Sequence, residues 1–387
     1  MSRRHGAFAV KECWFLQTII GSSMSDRKKA KPAQKEPKET RQPTSLGAHG
    51  AQELPEVILK SYNLAIQDEE GFVGDRASGR AFRALLDELR AQVSEVAKDP
   101  LGKKPSKDLS KKQLDKILSD GDANAAAIIQ GAIEEFAKQL AGVVRRYLRL
   151  KTWRDTERIA VGGGIRQSRV GELIIGRAAV ILKTEHVDVD LLPIRAHPDE
   201  AGLIGCAHLA PTWLYKGFSG VLAVDIGGSN IRCGIVKLNG KRAHNLARAS
   251  VAHCEIWRHS DEKPSREEAI DRMVEMLTRA IARAAKEHIK LAPLIAVGCP
   301  GEIAPDGAIN TGAQNLPGNW ESSRFNLPSL VREKIPTIRK HDTVVILHND
   351  AVVQGLSEAP FMRDVKHWAV LTIGTGLGNA SFENRGD

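Results

Sequence analysis

The stretch Val221-Leu222-Ala223-Val224-Asp225-Ile226-Gly227-Gly228-Ser229-Asn230-Ile231-Arg232 decides how the chain is read, and strand-like sequence continues from it to Leu238. Val221 to Val224 is a short apolar run of the kind a buried strand shows, and Ile231 to Leu238 is a second. Two adjacent glycines, a hydroxyl and an amide lie between them. Glycine lets backbone approach a ligand closely, and N–H groups converging on one side of such a turn form a concavity suited to phosphate. Asp225, at the strand end, would face the same space and could hold a metal-bound water. An ordinary hairpin with Gly-Gly in its turn has the same pattern, so the rest of the chain has to separate the two readings.

With 387 residues, 42% of them hydrophobic, the chain can bury a sizeable core, and two domains are the default expectation. The formal charge is +9 and the pI about 9.3. Part of that excess sits in the first 45 residues, so no nucleic-acid partner is expected, and the balance equally suits anionic small molecules. The cysteines, Cys13, Cys206, Cys233, Cys254 and Cys299, are scattered. They make no Cys-x-x-Cys and no Cys/His cluster, which argues against zinc and against a disulfide framework and fits a cytoplasmic setting. No apolar run is long enough for a membrane span.

Residues 1–50 read as a disordered basic tail, with Met24 as an alternative start. Strand sequence is expected within 54–66. Helices follow over 78–96, with Phe82, Leu85, Leu86 and Leu89 on one face, over 111–118, and from a cap at Asp122 to Arg149. Arg158 to Val161 is a strand running into Gly162-Gly163-Gly164, and a helix is expected from Ser168 to about Lys183. Three glycines at the carboxyl end of a strand make a flat shelf where an α/β sheet favours ligands, here an adenine ring. The bland alternative is a tight strand-to-helix turn. A strand over 187–194 and a helix opened by Asp199-Glu200-Ala201-Gly202-Leu203-Ile204-Gly205 complete the first half. The small residues of that helix permit close packing.

In the second half, Ser265 and Glu268 form a capping box for a helix reaching about His288. Leu294 to Gly298 is a buried strand ending at Cys299-Pro300-Gly301. Asn315-Leu316-Pro317-Gly318 lies in a loop rich in amides. Thr343 to Leu347 is a strand ending in His348-Asn349-Asp350, with a helix over 351–358. Trp368 to Ile373 leads through Gly374-Thr375-Gly376-Leu377-Gly378 into another strand-like piece, 379–382. Strands alternating with helices indicate an α/β protein, and the two strand–glycine–strand hairpins suggest two related halves.

Two phosphate-type hairpins and an acidic residue ending an intervening strand point together to phosphoryl transfer. That reaction needs phosphate cradles, a divalent metal and a base on the attacking hydroxyl. Gly227 and Gly228 would form one cradle and Gly374 to Gly378 the other. Asp350 is the candidate general base, since a carboxylate at a strand end can accept a sugar hydroxyl's proton. Capping the helix at Ala351 is its structural alternative. Asn349, Asn315 and Gly318 are the candidate polyol ligands, because amides both donate and accept.

These motifs resemble the ROK family of sugar kinases and sugar-responsive repressors, within the actin/hexokinase/Hsp70 ATPase superfold (a ribonuclease H-like fold). Asp225 to Arg232 resembles the family's first phosphate motif, with Gly227, Gly228, Ser229, Asn230 and Arg232 implied as nucleotide-binding. Gly298 to Gly301 and Asn315 to Gly318 resemble its sugar-side loops, and Asn349-Asp350 its sugar-binding Asn and catalytic Asp. Gly374, Thr375, Gly376 and Gly378 resemble its second phosphate motif. In the family a further half follows that motif, whereas this sequence stops at Asp387. Segments resembling the missing half stand in front: Ala77 to Arg80, the long helix after Asp122, Ile159 to Gly164 and Asp199 to Gly205. Gly162, Gly163 and Gly164 would be the adenosine motif. The resemblance therefore implies a circularly permuted, two-lobed α/β actin-like ATPase. Residues 51–212 correspond to the family's second half and 213–387 to its first, with Pro211 to Gly220 as the join. The family's Glu-x-Gly-His motif is not recognisable beyond His49, its cysteine-rich zinc motif is absent, and Asn379 stands where glycine is common.

The expectation is an ATP- and Mg²⁺-dependent, glucokinase-like hexose kinase of carbohydrate metabolism. Asp225 would hold Mg²⁺ through water, and a homodimer is compatible with the reading. A polyphosphate-dependent glucokinase and a non-catalytic sugar or nucleotide sensor are the alternatives. The absence of a helix-turn-helix pattern disfavours a repressor.

Overall fold

The structure, a computed structural model, describes residues 48–241 and 244–386. The described residues all fall within one compact unit, Thr44–Asp387. The tail expected over 1–50 falls almost wholly outside the described residues.

In chain order the main elements are β1 (Val57–Tyr62), α1 (Gly79–Ser94), α2 (Lys111–Asp120), α3 (Ala123–Leu148), β2 (Arg158–Gly162), α4 (Arg169–Thr184), β3 (Asp190–Pro193) and α5 (Pro198–Cys206). They continue with β4 (Gly220–Ile226), β5 (Ile231–Lys237), β6 (Ser250–Trp257), α6 (Arg266–Lys286), β7 (Leu291–Cys299), α7 (Leu327–Lys334), β8 (Val344–Asn349), α8 (Asp350–Leu356), β9 (His367–Ile373) and β10 (Leu377–Asn384). The α/β class follows directly. Helix starts obey their sequence signals: the Asp122 carboxylate accepts from the amides of Asn124 and Ala125 at 3.0 and 3.1 Å, and Ser265 with Glu268 closes the expected capping box on α6.

Two five-stranded sheets carry the fold. One runs β8-β7-β4-β5-β6 and the other β3-β2-β9-β10-β1. Each is built on a central hairpin, β4–β5 in one and β9–β10 in the other. The first hairpin strand has a parallel neighbour, β7 or β2, which in turn pairs in parallel with β8 or β3. The second hairpin strand has an antiparallel neighbour, β6 or β1. The two sheets thus share one topology. In the first, the strands succeed one another along the chain. In the second, the same succession starts at β9 and β10 and resumes at β1, β2 and β3. The 213–387 segment therefore supplies the hairpin of the second sheet as well as the whole of the first.

Strand alternation distributes side chains between separate cores. Leu222, Val224 and Ile226 of β4 join α6 and α7 in one cluster, while Val221 and Ala223 face a middle layer. Ala369, Leu371 and Ile373 of β9 meet the α1, α3 and α4 layer, while Trp368 and Val370 face the same middle layer. Every residue of β4 is buried, which is why its sequence is continuously apolar rather than alternating. The middle layer is made by α5 and α8. A Cβ built on Gly205 would lie 1.5 Å from the Val353 carbonyl oxygen, so these helices meet backbone to backbone, as the small residues of 199–205 led one to expect.

Several expectations need correction. The strand expected over 187–194 is only Asp190–Pro193. His348 and Asn349 belong to β8 and Asp350 is the first residue of α8. The cap of α8 is Asn349, not Asp350: Asn349 Oδ1 accepts from the amides of Ala351 and Val352. β6 and α7 are elements beyond those the sequence pattern predicts.

Candidate functional site

The first glycine turn joins β4 to β5, closed by the Gly227 amide donating to the Asn230 carbonyl at 2.9 Å. Its outer side is tied down. The Gly227 carbonyl lies 2.8 Å from Nε2 of the buried His259, and the Ser229 carbonyl accepts from the Ser260 amide. A Cβ on Gly228 would come within 3.0 Å of the Asn315 Cβ, so the amide-rich loop packs directly on this turn.

The second turn is held in the same manner. The Gly374 amide donates to the Gly376 carbonyl at 2.9 Å, and the Gly374 carbonyl accepts from Gly79 at the start of α1. Arg80 donates to the Thr375 carbonyl at 3.2 Å. A Cβ on Gly378 would sit 2.3 Å from the Thr372 hydroxyl and 3.1 Å from the Ala351 Cβ. The stem of this hairpin therefore lies against the first turn of α8, beside Asp350.

The tips of the two turns meet. Ser229 Oγ and Thr375 Oγ1 are 3.4 Å apart, although the residues come from different sheets and lie 146 positions apart in sequence. Gly162 pairs with Thr372 at the end of β9. Gly163 has a φ of +81°, and a Cβ there would clash with the backbone of Ile373, so the close strand crossing requires glycine. The three-glycine shelf thus adjoins the second turn.

Two carboxylates occupy the junction. Asp225 is 2% exposed and its carboxylate receives Arg232 Nη1 at 3.3 Å. Arg232 also donates to Asp199 at 2.8 and 3.0 Å from Nη2 and Nε. A Cβ on Gly202 would stand 2.5 Å from the Asp225 carboxyl carbon, so α5 leaves no room for solvent there. Burial pushes the Asp225 carboxyl above its ordinary range, and Arg232 opposes the rise. Asp350 is half-buried at the start of α8. Burial, reinforced by the charge of Asp225, pushes its carboxyl up to about 7. Its Oδ1 also accepts from the Ala351 amide.

Asn349 is 2% exposed, its Oδ1 committed to the α8 cap and its Nδ2 donating to the Gly301 carbonyl at 2.9 Å. It joins the Gly298–Gly301 loop to the base of Asp350. Gly318, with a φ of +75°, lies against Arg266 at the start of α6. His49 runs along the edge of β8, where its Nδ1 accepts from the Leu347 amide. Asn379 bonds both backbone groups of Leu64 at 3.0 Å, giving this side chain a pinning role.

Three participants were not singled out from sequence. Asp199, in the first turn of α5, holds Arg232. Lys111 donates from α2 to the Gly164 carbonyl, and burial lowers its pKa while Asp199 opposes that. His259 anchors the first turn. Each acts through residues far away in sequence, so no local spacing announces it. Among the described residues no group of three or more His, Cys, Asp or Glu side chains is arranged to hold a metal ion, and no helix is long and apolar enough to cross a membrane.

No protein-family model and no curated protein matches the chain. Solved structures match in part. A Listeria monocytogenes protein described as a candidate N-acetylmannosamine kinase is 24% identical, with a TM-score of 0.29 over 43% of this chain and 47% of that one. A candidate sugar kinase from Cytophaga hutchinsonii is 17% identical, with a TM-score of 0.30 over 43% and 48%. A ROK hexokinase from Thermus thermophilus is 20% identical, with a TM-score of 0.27 over 41% and 45%. The chain thus spans about half the length of the solved structures it matches.

Proposed function

We propose that the chain is a circularly permuted sugar kinase that transfers the γ-phosphoryl group of ATP to a hexose hydroxyl, with Asp350 as general base. The observation that carries the reading is the meeting of the Ser229 and Thr375 turns beside the Asp225–Asp350 pair. Two glycine turns facing one another can hold a polyphosphate chain between their N–H groups. The resemblance of Gly162 to Gly164 to an adenosine motif, and their place next to the second turn, would put the base at that end. The order of strands in the second sheet supports permutation.

Asp350 would accept the proton of the attacking hydroxyl as the new O–P bond forms and the bond to the ADP oxygen breaks. A carboxyl with a pKa near neutrality combines a useful ionised fraction with real basicity. Asn349 would position Asp350 through the α8 cap and the Gly301 carbonyl. Arg232, clamped by Asp199, would keep Asp225 ionised. Mg²⁺ commonly binds through one or two carboxylates plus waters and substrate phosphates, and Asp225 with its neighbour Asp350 fits such a water-mediated site. When bound, the ion would neutralise charge developing on the phosphates.

The test is a coupled assay of the purified protein with ATP, Mg²⁺ and a hexose panel. Turnover on a hexose that collapses in Asp350→Asn, with ATP binding retained, supports the reading. ATP binding without turnover on any sugar points instead to a sensor. Phosphate transfer from polyphosphate without nucleotide identifies the other donor.

A further inference from the structure

The face of the first sheet's hairpin opposite the glycine turn carries a second feature. β4 has seven residues, about 23 Å at ~3.3 Å per residue, so its starting end lies well away from the Ser229–Thr375 contact. At that end residues from Thr212 to Ser219, the end of β5 with Leu238 to Lys241, His244 and Leu246 after it, and the turn Glu287 to Lys290 that follows α6 enclose a groove of about 970 Å³. Trp213, Lys216, Lys237 and Lys290 line it. Trp213 is 46% exposed, a large ring left open to solvent. The three lysines form no ion pair among the described residues.

A smaller cavity of about 140 Å³ adjoins the groove across Trp213 and is lined by His208 and Glu56. His208 is 3% exposed, and neither ring nitrogen has a hydrogen-bond partner; Glu56 Oε2 has none either. His208 Nδ1 and Glu56 Oε2 stand 3.7 Å apart, beyond direct hydrogen-bond reach. Buried polar atoms left unmatched are costly and uncommon in folded proteins. Three polar atoms, both ring nitrogens of His208 and Oε2 of Glu56, are thus left unmatched on residues that border the cavity, and a ligand hydroxyl, which both donates and accepts, would suit them.

We propose that this groove and cavity form a second small-molecule site for a phosphorylated sugar, its phosphate among Lys216, Lys237 and Lys290, its ring on Trp213 and its hydroxyls at His208 and Glu56. The chemistry is mixed by construction. Cations alone would take any anion, whereas the buried His–Glu pair asks for a hydroxyl, and an exposed indole offers a flat apolar face to a ring. The site shares no residue with the phosphoryl-transfer cleft, so it stands or falls independently of the kinase reading.

The test uses the full chain and reads tryptophan fluorescence during titration with ribose 5-phosphate, inorganic phosphate and ribose. Expected is a saturable change with ribose 5-phosphate at up to millimolar concentration, abolished in Trp213→Phe. Affinity should fall about tenfold or more in the Lys216→Gln/Lys290→Gln double variant, the loss anticipated for removing charge-assisted hydrogen bonds. Gly228→Val, which obstructs the distant glycine turn, should leave it unchanged. Absence of a saturable response in the wild type overturns the proposal. So does equal affinity in the lysine variant, or binding lost in Gly228→Val, which would place it in the cleft. Inorganic phosphate binding as tightly as ribose 5-phosphate would reduce the groove to an ion site and equally overturn the proposal.

Discussion

Replacing Asp350 by Asn should make the protein more stable while removing its chemistry, and the gain should depend on pH. The Asp350 carboxyl rises from 3.8 to about 7 on folding, through burial and the neighbouring Asp225 charge. Between these values the folded state keeps a proton that the unfolded chain has lost. Stability therefore falls as pH rises from about 4 to about 7 and stays reduced above that. Each pH unit is worth about 1.4 kcal/mol, so the full cost at pH 8 is at most about 4 kcal/mol. An amide at 350 cannot ionise and avoids that cost. Urea unfolding of both proteins at pH 5, 6, 7 and 8 should show Asp350→Asn gaining about 2–4 kcal/mol at pH 8, with the gap narrowing steadily toward pH 5. Turnover should fall about a hundred- to ten-thousand-fold, and in the wild type should climb with pH through about 7. A gap independent of pH, or a variant less stable than wild type at pH 8, would refute the electrostatic account of Asp350. Wild-type turnover in the variant would remove it as the base.

Gly205→Ala places a methyl 1.5 Å from the Val353 carbonyl oxygen; a loss of about 3 kcal/mol or more in urea unfolding is expected, at the upper end of overpacking effects. Arg232→Met strands the buried Asp225 carboxylate beside Asp199 and should cost about 3–5 kcal/mol at neutral pH, with much of the loss recovered in melting curves near pH 4, where the carboxyls take up protons. Gly228→Val should abolish ATP binding in calorimetry while leaving the melting temperature within a few degrees of wild type, because the crowded neighbour is the exposed Asn315 loop. Asn379→Ala leaves the Leu64 amide unpaired and its carbonyl held by the Tyr147 hydroxyl alone, and a loss of about 1–3 kcal/mol is expected.

Much of the architecture is written locally. The caps at Asp122 and Ser265 and the continuous apolar run of β4 each depend on a few adjacent residues, and each stands where the sequence places it. β6 was not legible because it packs only partially: Ala252 to Glu255 are neither clearly buried nor alternating. For α7 the signal existed. Asn326 caps it and a proline follows in its first turn, but an eight-residue helix beside a long loop is easily read as loop. The one-residue misplacement at Asn349 and Asp350 has a physical cause, since both side chains accept from the Ala351 amide. The pairing of the two glycine turns is legible because both carry the same strand–glycine–strand pattern, whereas their contact at Ser229 and Thr375 spans 146 positions. The clamp on Arg232 and the lysine at Gly164 join positions 33 and 53 residues apart, and only folded geometry reveals them.

The pairing of β1 with β10 has a bearing on synthesis. Lys60 on one strand contacts Glu383 on the other, 323 positions later. At roughly 5–20 residues per second, a ribosome needs on the order of 15–65 s to deliver the second strand after the first. For that interval β1 lacks its sheet partner β10, and the helices α1, α3 and α4 lack the β9 surface they pack on. The contiguous sheet can close earlier, which makes the split one the late-maturing lobe and the part of the nascent chain most exposed to chaperones, proteases and mispairing.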